Sequence, residues 1–202
     1  MKVGIIDYGA GNLRSVANAV QSLDIEPSVF STPDGFDGLT HVILPGVGAF
    51  GDSMDELVRR KLDEPIRQWI ADDRPFFGIC VGYQLLFQSG EESPGVPGLG
   101  VFDGTVGRFP EDGRKIPHMG WNAAVACQES DPVWDQLGPS PYFYFVHSYY
   151  PEPEDQALIA MHTEYEGVRF ASAIRRGNLL ATQFHPEKSQ KAGLQLIRNF
   201  LR

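Results

Sequence analysis

The first ninety residues alternate short, continuously apolar runs with stretches whose apolar residues recur at helical spacing. A strand that is apolar at every position needs cover on both faces, and helices on both sides of a mostly parallel sheet provide it. The sequence therefore predicts a doubly wound, mostly parallel α/β sheet. The predicted strands are Val3 to Ile6, Ile25 to Phe30, His41 to Leu44 and Phe76 to Ile79, with helices from Leu13 to Leu23 and from Met54 to Ile70.

The second half of the chain has a different pattern. From Ser89 onward, Gly and Pro residues separate shorter runs such as Tyr142 to Val146, which alternate as antiparallel strands do. Without an internal repeat or a long linker, we expect antiparallel additions to the same sheet and a single domain over residues 1–202. Further strands are predicted over 157–161, 168–173 and 179–184, and a terminal helix from Ala192 to Leu201.

The composition excludes several classes of protein. With 17 Lys and Arg against 26 Asp and Glu, the formal charge is −9, so we expect no binding to the phosphates of nucleic acid. Cys80 and Cys127 are too few for a disulfide-stapled secreted scaffold, and Asp7 ends the N-terminal apolar run too early for a signal peptide or membrane span. We expect a cytoplasmic location without membrane contact.

The five histidines are scattered, so no metal site is predicted, and we expect no cofactor.

Cys80 occupies the most informative position in the chain. It is the central residue of Gly78-x-Cys80-x-Gly82, where a predicted strand leads straight into a predicted helix. Flanking glycines leave room for the strained turn of a nucleophile elbow, and a helix N-terminus favours the thiolate. The alternative is a buried structural cysteine, which is common in apolar surroundings.

A histidine and a carboxylate near the C-terminus strengthen the catalytic interpretation. In His185-Pro186-Glu187, the proline restricts His185 to extended backbone. If the chain stays extended, both side chains point to one side, so Glu187 reaches the imidazole and leaves its other nitrogen free for a thiol proton. The sequence therefore predicts a Cys80, His185, Glu187 triad.

A glycine-rich loop follows the third predicted strand. Its sequence is Pro45-Gly46-Val47-Gly48-Ala49-Phe50-Gly51, and ligands of open α/β sheets bind outside such strand ends. Backbone N–H groups of the loop can stabilise an oxyanion, by about 3 kcal/mol for each donor in acyl transfer. An ordinary strand-to-helix loop is the alternative.

These three segments together resemble the class I, or triad-type, glutamine amidotransferases, over essentially the whole chain. The resemblance implies a flavodoxin-like fold in which Cys80 attacks the side-chain amide of glutamine, His185 acts as base and then acid, and Glu187 orients His185. It implies an oxyanion hole at Val47, Gly48 and Val81. It also implies glutamine contacts at Gly46, Gly48, Gln84, Glu92, Ser148 and Tyr149.

Four segments, one of which is the glycine-rich loop at Pro45, are similar to one branch of this family, the glutaminase subunits that feed ammonia to a separate (β/α)₈ cyclase in histidine biosynthesis. They begin at Asp7, Pro45, Pro117 and Tyr144. This resemblance implies a heterodimer whose cyclase makes imidazole glycerol phosphate and the aminoimidazole carboxamide ribotide. It places Asn12, Met119, Trp121 and Lys188 on the face that meets the cyclase, although from the sequence alone Trp121 is expected in the core.

Other functions fit the sequence less well. A dinucleotide-binding fingerprint fails because Arg14 stands where its third glycine belongs. In a cysteine-dependent α/β-hydrolase the triad acid precedes the histidine, whereas Glu187 follows His185. A binding protein without catalysis would not need the three triad residues. Glutaminase subunits of other synthases remain an alternative that only the branch-specific segments exclude.

Overall fold

The computed structural model describes residues 1–127 and 130–202. Its helices are α1 Leu13–Gln21, α2 Phe50–Arg59, α3 Asp63–Ala71, α4 Val81–Gln84 and α5 Gln190–Phe200. Its strands are β1 Val3–Ile6, β2 Ser28–Phe30, β3 His41–Gly46, β4 Phe76–Cys80, β5 Ser89–Gly90, β6 Gly104–Arg108, β7 His118–Ala123, β8 Val125–Ala126, β9 Tyr142–His147, β10 Tyr149–Pro153, β11 Ile159–Tyr165, β12 Val168–Arg176 and β13 Leu179–Thr182.

An eight-stranded sheet organises the chain, in the order β2-β1-β3-β4-β13-β12-β11-β8. The first five strands of that order pair in parallel, and the last three are antiparallel additions. Every residue of β1, β4 and β13 is buried, as cover on both faces requires. The α/β fold with a mostly parallel sheet and antiparallel additions is therefore confirmed, and its parallel part has the flavodoxin-like strand order.

Two smaller sheets lie beside the large one. Strands β10, β6 and β5 form one of them, and β7 and β9 pair in antiparallel fashion to form the other. Aromatic side chains fill the space under β9: the rings of Phe143 and Phe184 stack with centroids 3.9 Å apart, and Phe145 is fully buried. This packing fixes the position of the segment that follows β9.

Several predicted boundaries differ from the structure. The second strand begins at Ser28 instead of Ile25, because Pro27 has no N–H to donate to the ladder. The strand predicted over 157–161 begins at Ile159, since the Asp155 side chain accepts the Ala157 N–H and starts a 3₁₀ turn. The helix predicted from Met54 begins earlier, at Phe50, and is divided by residues 60–62. Within the described residues, no helix is both long and apolar enough to cross a bilayer.

Candidate active site

Cys80 lies at the carboxyl end of β4 in the strained turn that the glycine spacing predicts. Its backbone has φ 55° and ψ −110°, conformations that L residues rarely adopt. A Cβ on Gly82 would lie only 2.0 Å from the Leu44 carbonyl oxygen, and a Cβ on Gly78 would lie 2.8 Å from the Gly82 carbonyl oxygen. Both glycines are therefore needed for the chain to turn from β4 into α4.

A cavity of about 390 Å³ opens in front of Cys80. It lies at the carboxyl ends of β3 and β4, where open α/β sheets bind their ligands. His185 also lines it, so the two predicted catalytic groups face one space. Its wall consists of Val47, Gly48, Cys80, Val81, Gln84, Glu92, Pro117, Val146, His147, Ser148, Tyr149 and His185.

His185 and Glu187 form the predicted pair. His185 Nδ1 lies 2.8 Å from Glu187 Oε1, and both side chains are almost completely buried. The extended conformation of His185 is confirmed, at φ −99° and ψ 94°. The expected extended path to Glu187 is wrong, because Pro186 starts a 3₁₀ turn over Pro186–Lys188. Ser189 closes that turn by donating its hydroxyl to the His185 carbonyl oxygen at 2.6 Å.

The surroundings of His185 favour its protonated form. Burial would lower the pKa of His185, but the charges and hydrogen-bonding groups of Cys80 and Glu187 outweigh burial and raise it to about 10. Its Nε2 atom is buried without a hydrogen-bond partner among the described residues. Since Nδ1 is occupied by Glu187, Nε2 is the atom available for proton exchange in the cavity.

The glycine-rich loop brings two of the predicted oxyanion residues to the cavity. Val47 and Gly48 line it, as does Val81, the residue after Cys80. Gly48 has φ +98°, which favours glycine there. Gly46 does not line the cavity. It pairs with Cys80 across the β3–β4 ladder, and a Cβ on it would lie 2.5 Å from the Gly82 nitrogen.

Besides Gly48, four predicted glutamine contacts lie in the cavity wall: Gln84, Glu92, Ser148 and Tyr149. Gln84 is buried and donates Nε2 to the Tyr149 carbonyl oxygen at 3.0 Å. Glu92 accepts the Phe50 N–H at the start of α2, 2.7 Å away. The Glu92 carboxylate is therefore held at the start of α2.

Two polar residues of the site, His147 and Gln183, were not predicted from the sequence. His147 lines the cavity and contacts the Tyr149 carbonyl oxygen through Nδ1 at 2.8 Å. Gln183 is fully buried, with Nε2 3.7 Å from Cys80 Sγ. The position of Gln183 two residues before His185 was a usable signal, because alternate residues of extended chain share a side.

The predicted interface residues lie outside the cavity wall. Met119 and Trp121 are 60% and 46% exposed on β7. The expectation of a core position for Trp121 is wrong, because β7 and β9 form a two-stranded sheet and Trp121 lies with Met119 on its exposed face. Asn12 directly precedes α1 and is half-buried, and Lys188 is exposed beside Glu187.

The elbow cysteine, the His–Glu pair and the loop at the carboxyl ends of a parallel sheet define a class of thiol enzymes. Residues 4–202 match the family described as glutamine amidotransferase class-I, and the chain belongs to that family. A structure described as PurLQS from Thermotoga maritima has the same fold, with a TM-score of 0.78 at 19% identity, covering 99% of this chain and 97% of that one.

Curated relatives specify the branch. The chain is 44% identical to the imidazole glycerol phosphate synthase subunit HisH of Acinetobacter baylyi, over 99% of this chain and 97% of the relative. It is 46% identical to the protein of the same name from Methanothermobacter thermautotrophicus, over 98% of this chain and 97% of the relative. Within the class, the chain thus falls in the HisH family.

Proposed function

We propose that this chain hydrolyses glutamine at Cys80 and delivers the ammonia to a cyclase partner in histidine biosynthesis. The observation that carries the proposal is the buried His185–Glu187 pair facing the elbow cysteine across one cavity. HisH relatives at 44–46% identity over nearly the whole chain support the choice of pathway.

The reaction follows from the positions of three side chains. His185 Nε2 holds the proton of the Cys80 thiol, and the sulfur attacks the side-chain amide carbon of glutamine. When the tetrahedral adduct collapses, the C–N bond breaks and His185 returns the proton to the leaving nitrogen, which departs as ammonia. A thioester remains. Water then gives its proton to His185 and attacks the thioester, so that the C–S bond breaks and glutamate leaves.

Glu187 keeps His185 in the useful tautomer during both steps. Its Oε1 atom accepts a hydrogen bond from Nδ1–H at 2.8 Å, so proton exchange with the thiol takes place at Nε2. The carboxylate also stabilises the imidazolium that forms when the thiol loses its proton. Proton transfer at His185 Nε2 thus serves both the attack of the Cys80 sulfur and the departure of ammonia, as a triad requires.

The adduct's oxygen anion needs N–H donors beside Cys80. We assign these to the backbone of Val47, Gly48 and Val81, whose residues share the cavity with the sulfur. One oriented donor lowers the barrier of acyl transfer by about 3 kcal/mol. The Val47 N–H completes this hole when its loop turns over, which gives partner and ligand a means of gating glutamine hydrolysis.

The cavity also offers partners for the two ends of an amino acid. The Glu92 carboxylate suits the α-ammonium group, and the hydrogen-bond donors of Ser148 and Tyr149 suit the α-carboxylate. Gln84 lies one helical turn beyond Cys80 and contributes to the cavity wall. We place Gly46 beneath the elbow, as support for the site.

We further propose that the partner is a (β/α)₈ cyclase, which Asn12, Met119, Trp121 and Lys188 contact. Aromatic and Met side chains are enriched in the centres of interfaces, and Met119 and Trp121 are both exposed here. In the complex, ammonia passes to the partner, whose products are imidazole glycerol phosphate and the aminoimidazole carboxamide ribotide. We assign the reaction to the cytoplasm, which suits the free thiols of Cys80 and Cys127.

Glutamate release tests this function. We would measure it for the chain alone, with the cyclase, and with the cyclase plus its phosphoribosyl ligand, using Cys80→Ala as control. The proposal expects strong hydrolysis only in the full mixture, and none with Cys80→Ala. Hydrolysis that ignores the cyclase would assign the chain to another synthase, and no hydrolysis in any mixture would leave a binding role.

A further inference from the structure

Gln183 approaches the sulfur of Cys80 from inside the protein. Its Nε2 atom lies 3.7 Å from Cys80 Sγ, within the range of an N–H···S hydrogen bond, and the residue has no exposed surface. The backbone N–H of Gln183 bonds the Ser172 carbonyl oxygen at 2.9 Å, which anchors the residue just beyond β13. The amide therefore reaches the nucleophile from a fixed position.

A backbone carbonyl determines which end of the Gln183 amide faces the sulfur. The Tyr149 carbonyl oxygen can only accept, so the Gln84 atom 3.0 Å from it must be the amide nitrogen. That same nitrogen lies 3.1 Å from the Gln183 side chain, which must present its oxygen there. The Gln183 nitrogen is then left facing Cys80, because the two ends of an amide point apart.

The remaining groups around Cys80 leave Gln183 a distinct task. His185 exchanges the thiol proton, and Glu187 acts on Cys80 only through His185. Tyr8, which follows β1, is a buried neutral phenol near the elbow, because burial raises its pKa far above the usual range. Gln183 differs from His185 because its amide stabilises a charged sulfur without exchanging a proton with it. Hydrogen bonds to ionised atoms are roughly twice as strong as those between neutral groups.

We propose that Gln183 is a further catalytic residue, whose side-chain N–H donates to Cys80 Sγ, favours the thiolate and holds the sulfur towards the cavity. The inference deepens the proposed glutaminase function and rests on it for the role of Cys80. Gln84 is a positioning residue in this arrangement, because it binds the Gln183 oxygen and so keeps the nitrogen on the sulfur.

Alkylation of Cys80 by iodoacetamide tests the inference without glutamine or cyclase. The full chain carries Cys127→Ser, because Cys127 is exposed and would react as well. We expect Gln183→Met, which keeps the length and removes the donor, to slow alkylation at pH 7 about 10-fold and to move the pH profile upward. Gln183→Glu keeps the shape of the side chain and the acceptor for Gln84 but adds a negative charge near the sulfur. The pH profile of Cys80 alkylation should therefore move further upward than with Gln183→Met.

Thr182→Val is the matched control. Thr182, the last residue of β13, is buried like Gln183, and its hydroxyl donates to the Phe184 carbonyl oxygen. The substitution therefore removes a buried hydrogen bond that does not involve the sulfur. Its alkylation profile should coincide with that of the parent. A profile of Gln183→Met or Gln183→Glu that coincides with the parent would overturn the inference, as would an equal shift in Thr182→Val.

Glutamine turnover in the cyclase complex separates this inference from the proposed function. With Gln183→Glu, which keeps the acceptor for Gln84, kcat should fall at least about 10-fold while KM for glutamine stays close to that of the parent. A rise in KM alone would contradict a role at the sulfur. If the parent chain itself does not hydrolyse glutamine in the complex but alkylation still depends on Gln183, the proposed function fails and the donor role survives.

Discussion

Nδ1 of His118 lies 3.0 Å from Nε2 of His147 inside the protein, and in this hydrogen bond His118 is the donor. His147 Nδ1 must carry a proton, because its partner at 2.8 Å is the Tyr149 carbonyl oxygen. In a neutral ring Nε2 of His147 is then an acceptor, so His118 donates through Nδ1. The Asn122 amide, 3.3 Å away, donates to the remaining His118 nitrogen. With both imidazoles neutral, these hydrogen bonds form one chain that ends at the cavity wall.

The first prediction is that mild acid destabilises the fold through this pair. Burial lowers the pKa of His118 to about 4, and burial followed by the nearby His118 charge lowers the pKa of His147 to about 3. The unfolded chain binds these protons near pH 6.5, so stability is lost as pH falls below that value. Each proton contributes a slope of about 1.4 kcal/mol per pH unit.

Urea unfolding between pH 7.5 and 5 checks this slope, with His118→Phe as the test variant. Phenylalanine keeps the stacking on Tyr165, whose ring centroid is 4.0 Å away, and removes one titrating group. The variant should be less stable at pH 7.5 but lose less stability on acidification. His185 acts in the opposite direction, because its raised pKa makes stability fall as pH rises. An unchanged acid slope in His118→Phe would contradict the prediction.

The second prediction concerns Glu187→Gln. An amide retains the shape but can donate to His185 Nδ1, which puts the wrong tautomer in the site and removes the charge that stabilises the imidazolium. We expect kcat for glutamine hydrolysis in the cyclase complex to fall at least about 100-fold. The pH of half-maximal Cys80 alkylation should also change, because less of His185 is protonated. Activity within a few-fold of the parent would exclude Glu187 from the triad.

The third prediction concerns Gly82→Ala. The added methyl group would meet the Leu44 carbonyl oxygen at 2.0 Å, a backbone atom that moves only if β3 moves. We expect a loss of about 3 kcal/mol or more in unfolding free energy, or no folded protein. Gly138→Ala is the control: φ is +77° there with open space around it, so only about 1 kcal/mol is lost. Equal stability of the two variants in thermal unfolding would refute this explanation of the elbow.

Those parts of the site that depend only on residues adjacent in the chain could be predicted from the sequence. The Gly-x-Cys-x-Gly spacing predicts the turn at Cys80, because steric room for that backbone depends on the flanking residues. The contact between His185 and Glu187 was also predictable, although its backbone path was not. Pro186 permits both an extended chain and the start of a 3₁₀ turn, and the choice depends on Ser189 closing the turn.

Contacts between distant segments could not be predicted in this way. The Gln84, Gln183 and Tyr149 network joins three parts of the chain, and the direction of each amide depends on a carbonyl far away in sequence. The exposure of Trp121 has a similar origin. The sequence of its strand alternates as in any half-buried strand. Which face is exposed depends on the pairing of β7 with β9 in a separate two-stranded sheet.

The last prediction uses that exposed face. Trp121→Ala should weaken binding to the cyclase at least about 30-fold, a loss of about 2 kcal/mol typical of a central aromatic residue in an interface. Because the side chain is 46% exposed, the melting temperature of the isolated chain should change little. Val58→Ala, at a 54% exposed residue on α2, is the matched control and should bind normally. Titration of labelled cyclase measures both affinities. If Trp121→Ala binds as tightly as Val58→Ala, the cyclase contacts a different face, and the exposed side of β7 needs another partner.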